Sequence, residues 1–126
     1  DHIRRKRLDL KMLQREVAEQ IGVGETSVFK WEANTVGPEI RCMPAIIRFL
    51  GYNPLPAATG WGERLVRHRT TLGFSQKEAA KRMGVDPGTL AGWERGEKEP
   101  TGVFLGRVER SLRDGEAADL EALRVG

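Results

Sequence analysis

Cysteine is nearly missing: Cys42 is the only thiol among 126 residues, so no intramolecular disulfide can form. A lone thiol suits a reducing compartment, and Cys42 reads as a small buried thiol rather than a nucleophile. No apolar run approaches the roughly 18 residues of a membrane span, and no signal peptide is visible. Membrane partners are therefore not expected, and a cytoplasmic setting is. Histidine is equally scarce. His2 and His68 lack a carboxylate or cysteine at ligand spacing, so both read as surface residues of a first helix in each half of the chain. Without those groups the sequence offers no metal site, no cofactor site, no small-molecule ligand and no catalytic constellation. An enzyme is not expected.

What charge there is falls unevenly. Residues 1–50 carry nine Lys/Arg against seven Asp/Glu, residues 60–113 eleven against seven, and residues 114–126 one against four. A basic body with an acidic tail is compatible with nucleic acid as partner, although most such charges also serve as solvated faces.

Twenty residues organise the rest. Ser75–Glu94 reads SQKEAAKRMGVDPGTLAGWE. Ser75 can cap a helix, with Glu78 three residues on to complete a capping box. Ala79, Ala80 and Met83 fall on one face, and Gly84 sits where a glycine ends a helix. Asp86 then caps a second helix, Pro87 takes the first-turn position, and Leu90 and Trp93 point inward. Two short helices this close must cross and bury Ala80, Met83, Leu90 and Trp93 between them. The pattern is a helix-turn-helix, whose second helix can enter a DNA major groove.

The same unit recurs 62 residues earlier as LQREVAEQIGVGETSVFKWE, Leu13–Glu32. Without a gap, Ile3–Pro38 and Leu65–Pro100 share eleven identities in 36 positions, among them Arg7/Arg69, Gln14/Gln76, Glu16/Glu78, Gly22/Gly84, Trp31/Trp93 and Glu32/Glu94. One small all-α domain thus occurs twice, at 1–52 and 61–126, with 53–60 as linker within the Pro- and Gly-bearing stretch Gly51–Gly60. Each copy is near the lower size limit for an independent core, so mutual packing or dimerisation would help. Ten linker residues reach at most about 33–36 Å, close to the roughly 34 Å between successive major grooves on one face of a duplex. Joint binding of one duplex is allowed but not required.

Along the first copy, helices are expected near 1–10 (Ile3 and Leu10 inward), 13–21, 25–33 and 43–50, the last burying Met43, Ile46, Ile47 and Leu50. In the second a helix is expected near 63–72, the helix-turn-helix Ser75–Glu94 follows with its recognition helix at about 87–95, and a last helix is expected near 102–112, with Leu105, Val108 and Leu112 matching Met43, Ile46 and Leu50; Cys42 falls in the slot of Phe104. The tail 115–124 places Ala117, Leu120 and Leu123 on one helical side. It reads as a fifth helix, a dimer contact or a frayed end, with loose packing against the second copy as the default. Trp31 and Trp93 read as core.

Taken together, these residues resemble the Cro/C1-type (XRE) helix-turn-helix family of phage repressors and bacterial regulators. The shared marks are Gln at the start of helix 2, Glu-x-Ala within it, Gly-Val at the turn and Trp-Glu closing helix 3, each present in both copies. The resemblance implies two tandem lambda-repressor-like bundles of four to five short helices, without cofactor or catalysis, binding double-stranded DNA. It implies that Gln14 and Gln76 approach phosphates, where a helix N-terminus also favours an anion. It makes the base-reading positions Glu25, Thr26, Phe29 and Lys30 in copy one, and Pro87, Gly88, Thr89, Ala91 and Gly92 in copy two. Further phosphate contacts would come from Thr35 and Arg41, and from Ser75, Lys98 and Thr101. Arg7 with Glu32, and Arg69 with Glu94, match a family ion pair and read as structural.

The departures matter too. Copy two's reading positions hold almost no hydrogen-bonding side chains, whereas base edges are usually read by Arg, Lys, Asn or Gln. It would grip backbone, touch thymine methyls through Ala91 and Thr89, or dimerise. Copy one offers Lys30 for a guanine edge and Glu25 for a cytosine amine, and is the better base reader; its Phe29 is either a packing variant or a thymine-methyl contact. The competing class is a protein-interaction module, antitoxin-like or an adaptor, for which the small residues Gly88, Ala91 and Gly92 would permit close helix approach.

Overall fold

A computed structural model describes residues 2–125, with side chains through Gly115. Among the described residues every regular element is helical, and two compact units divide at 54/55.

Unit one carries α1 (His2–Asp9), α2 (Gln14–Ile21), α3 (Glu25–Glu32), a single 3-10 turn at Ile40–Cys42, and α4 (Met43–Leu50). Its core is the set of apolar positions that helical spacing selects: Ile3, Val17, Ala18, Ile21, Val28, Trp31, Met43, Ile46, Ile47 and Leu50. Each large side chain removed from water contributes about 1.5–3 kcal/mol, which is what a unit this small has to set against chain entropy. Leu10 departs from the expectation. Helix α1 stops at Asp9 and Lys11 takes a left-handed φ of 57°, so the chain turns before Leu10 can face inward and leaves it half exposed.

Unit two repeats the order with α5 (Trp61–Leu72), α6 (Gln76–Met83), α7 (Pro87–Glu94) and α8 (Val103–Val125). Leu65, Ala79, Ala80, Met83, Leu90, Trp93, Val108 and Leu112 form one buried cluster, with Trp61, Phe74 and Val85 packed against it. Leu105 is only half-buried. The left-handed positions held by Lys11 and Asn34 in unit one are Gly73 and Gly96 here, the residue type that takes such φ values without strain.

Three further expectations change. The tail forms no separate fifth helix, because α8 runs without a break through Val125; the side chains of Ala117, Leu120 and Leu123 lie outside the described residues. Cys42 is half-buried, at the end of the 3-10 turn. His68 is half-buried as well, because α8 passes over it at Gly115, where a Cβ would strike the imidazole. No helix among the described residues is long and apolar enough to cross a membrane.

Candidate nucleic-acid interface

The second and third helices of each unit make the same corner from different capping chemistry. In unit two the Ser75 hydroxyl accepts from the Glu78 amide at 3.2 Å, and the Ser75 amide donates to Glu78 Oε1 at 3.1 Å. The bond from the Ser75 amide, and after it one from the Ser75 hydroxyl to the carboxylate, hold the Glu78 carboxyl below the usual range. In unit one Leu13 has no hydroxyl, yet its amide still donates to Glu16 Oε1 at 2.8 Å, preserving half of the box. Both first helices of the pair end at a left-handed glycine, Gly22 (φ 89°) or Gly84 (φ 73°), after which Val23 or Val85 donates back to the Ala18 or Ala80 carbonyl. Asp86 caps α7 by accepting from the Gly88 amide at 3.0 Å. Gly24 opens α3 with no side-chain cap.

A part-buried polar network locks each corner to the first helix of its unit. Arg7 Nε and Nη2 donate to the two Glu32 carboxylate oxygens at 2.8 Å each, while Arg7 Nη1 donates to the Met12 carbonyl at 3.2 Å. The second copy reproduces this with Arg69 and Glu94 at 2.7 and 3.0 Å, and with the Phe74 carbonyl at 3.3 Å. Gln14 Nε2 donates to Glu32 at 3.3 Å, and Gln76 Nε2 to Glu94 at 2.8 Å. The bidentate fork matches guanidinium to carboxylate in one plane. Burial pushes the Glu32 carboxyl up, but the bonds from Arg7 and Gln14 and the charge of Arg7 outweigh it and hold the group below its ordinary value. Arg7 is correspondingly raised by its bond to Glu32.

Both glutamines therefore already spend one amide donor inside the protein. Each stands at the first turn of its helix, tied to the carboxylate that closes the next one, so a phosphate contact would have to use the remaining N–H. Neither helix by itself points to this bond. The only available signal was that Gln and Glu recur together, 18 residues apart, in both copies.

Around this frame, Glu25, Thr26, Phe29 and Lys30 are all exposed, with Phe29 at 58 %. In unit two Pro87 and Gly88 are exposed, and Thr89 and Ala91 are half-buried. Gly92 is buried and carries no side chain, which removes it from the candidate readers and from the small-residue surface proposed for a partner. A Cβ built there meets nothing within 4 Å, so the direction that Lys30 takes in unit one is open but unused. Thr35, Arg41, Lys98 and Thr101 are exposed, whereas Ser75 is half-buried and occupied by its cap. Arg41 lies against Glu39 at 2.6 Å, with both side chains well solvated.

One cation escaped the sequence reading. Arg15 borders a shallow depression of about 370 Å³ with Arg7, Leu13, Gln14 and Glu25, where the first turn of α2 meets the front of α3. Lys77 is its counterpart in α6. A positive charge directly after the glutamine in both copies was the overlooked signal.

A helix-turn-helix family model matches residues 3–55 and again 66–113. The chain belongs to the Cro/C1-type helix-turn-helix family. Its two tandem copies make it an all-α helix-turn-helix protein, and the family is one of DNA-binding regulators. Neither curated proteins nor solved structures gave a match to this helix-turn-helix chain.

Proposed function

We propose that the protein is a DNA-binding transcriptional regulator of a bacterial or phage cytoplasm, in which α3 and α7 enter the major groove. The observation that carries this reading is the exposed front of α3, displayed on a corner that the Arg7–Glu32–Gln14 network fixes in place. Unit one is the base reader. Lys30 supplies the donor for a guanine edge, Glu25 the acceptor for a cytosine amine, and Phe29 an apolar contact for a thymine methyl. Thr26 takes either kind of partner. Gln14, Arg15, Thr35 and Arg41 hold the backbone there. Unit two holds phosphates through Gln76, Lys77, Lys98 and Thr101, with Ser75 kept to its capping role, and touches bases only by shape and methyl contact at Pro87, Gly88, Thr89 and Ala91. A homodimer would double the site.

Titration of a labelled random duplex at two salt concentrations tests the reading. If about six phosphates are neutralised, affinity falls by about 10³-fold between roughly 50 and 200 mM salt. Lys98→Ala lowers the salt slope by about 0.9, while Lys30→Ala relaxes the sequence preference without removing non-specific binding. No binding at low salt would leave the protein-interaction module as the better reading. That alternative draws on two exposed apolar side chains, Leu13 at 54 % and Phe29 at 58 %: Leu13 shares a depression with Glu25, and Phe29 follows one turn later on α3.

A further inference from the structure

Unit two carries a pocket of about 250 Å³ where α5, α6 and α8 meet. Its floor is apolar: Ala79 and Met83 are buried, and Leu72 and Phe74 are half-buried. Its rim is polar, with Arg82 and Asp114 exposed and Ser111 half-buried. The Arg82 guanidinium lies over the Phe74 ring, 4.3 Å from its centroid, which holds that charge at the edge of the apolar surface. Among the described residues no ion pair joins Arg82 to Asp114. Two charges of opposite sign thus border one apolar floor without being spent on each other.

The internal repeat gives the shape of an occupant. Ser111 and Asp114 stand three apart on α8, on one face of the helix. Their counterparts in unit one, 62 residues earlier, are Phe49 and Tyr52. Phe49 is half-buried on α4, which packs on α1 and α2. Where unit one has rings, unit two has a hydroxyl and a carboxylate beside an apolar floor. The pocket exceeds the void of about 150 Å³ that takes a benzene ring, so a ring and a small polar head fit together.

We propose that this pocket binds a free α-amino acid with a large apolar side chain. The side chain lies on the floor, where burying it follows the ordinary hydrophobic gain. Arg82 donates to the ligand carboxylate, Asp114 accepts from its ammonium group, and the Ser111 hydroxyl serves either. The site is at the last turn of α6, the end opposite Gln76 and Lys77, so it is separate from the phosphate contacts proposed above and does not rest on them.

L-Phenylalanine added to the full chain tests this, read by NMR at the Ala79 and Met83 methyl groups and by the unfolding midpoint of unit two. A dissociation constant on the order of 1 mM is expected for so small a ligand in an open pocket. At about ten times that concentration the unfolding constant of unit two falls about tenfold. N-acetyl-L-phenylalanine, which lacks the ammonium, and L-phenylalaninamide, which lacks the carboxylate, are each expected to bind about tenfold more weakly, one charged hydrogen bond being lost in each. Asp114→Asn is expected to abolish the preference over the acetylated form, and Arg82→Gln the preference over the amide. Both side chains are exposed, so both variants are expected to fold. Equal binding of the three ligands to the unaltered chain would overturn the proposal, the pocket then being an apolar surface only. So would unmoved Ala79 and Met83 signals at roughly fifty times the expected constant, or a preference that survives in either variant.

Discussion

Deleting the carboxylate of Glu32 is the sharpest test of how the recognition corner is held. The Arg7 and Glu32 side chains are 15 % and 6 % exposed, and two bonds of 2.8 Å join them. In Glu32→Ala, Arg7 keeps only the Met12 carbonyl, and Gln14 loses its acceptor. Breaking a buried pair from one side costs about 3–5 kcal/mol. Arg7 retains some access to water, so the lower end, about 3 kcal/mol, is expected. A unit of 54 residues has a total stability of about 3–8 kcal/mol, so this one change removes a large share of it. At roughly 4–8 °C per kcal/mol the midpoint of unit one falls by about 12–24 °C. Replacing both partners, Arg7→Met with Glu32→Leu, leaves no stranded charge and is expected to cost under about 1.5 kcal/mol. The assay is urea unfolding of the full chain, followed at the Trp31 indole N–H by NMR so that unit one is read alone. A loss below about 1 kcal/mol in Glu32→Ala, or a double variant equal to the sum of the singles, would refute the reasoning.

Three other outcomes follow from local geometry. Gly92→Ala is expected to stabilise unit two by up to about 1 kcal/mol, since its Cβ points into open space and the helix gains a better former; thermal melting checks it. Gly62→Ala and Gly115→Ala are expected to destabilise the same unit, the first against the Glu94 carbonyl and the second against the His68 ring, which chemical unfolding would reveal as lowered midpoints. Acid should loosen unit one through Glu32. Its folded carboxyl titrates below the unfolded value of about 4.3, so the stabilisation is complete above that pH and is lost as pH falls through the lower, folded value. Glu32→Gln should flatten that acid limb in a pH series of unit-one midpoints.

Helices α2 to α7 were legible because each is short and bounded by a cap or a glycine. Ser75 with Glu78, Asp86 before Pro87, and Gly84 after Met83 are local chemistry, and local chemistry is written in adjacent residues. Trp31 and Trp93 were legible as core for the same reason. Leu10 was misread because periodicity extends a helix until something stops it, and the stop here is the left-handed turn at Lys11, a residue that gives no such warning. Gly92 matched a reading position by family alignment, but the packing of α7 buries it, and burial is not written in adjacent residues.

The sequence by itself determined the duplication, the helical class and the corner of each copy, since repeat spacing, capping and apolar period all act over a few residues. Tertiary structure alone decided which polar groups meet. Gln14 reaches Glu32 across 18 positions, and Arg7 reaches it across 25. Pairings at such separations depend on how helices pack in space, and packing is settled by the whole core at once rather than by any one stretch of it.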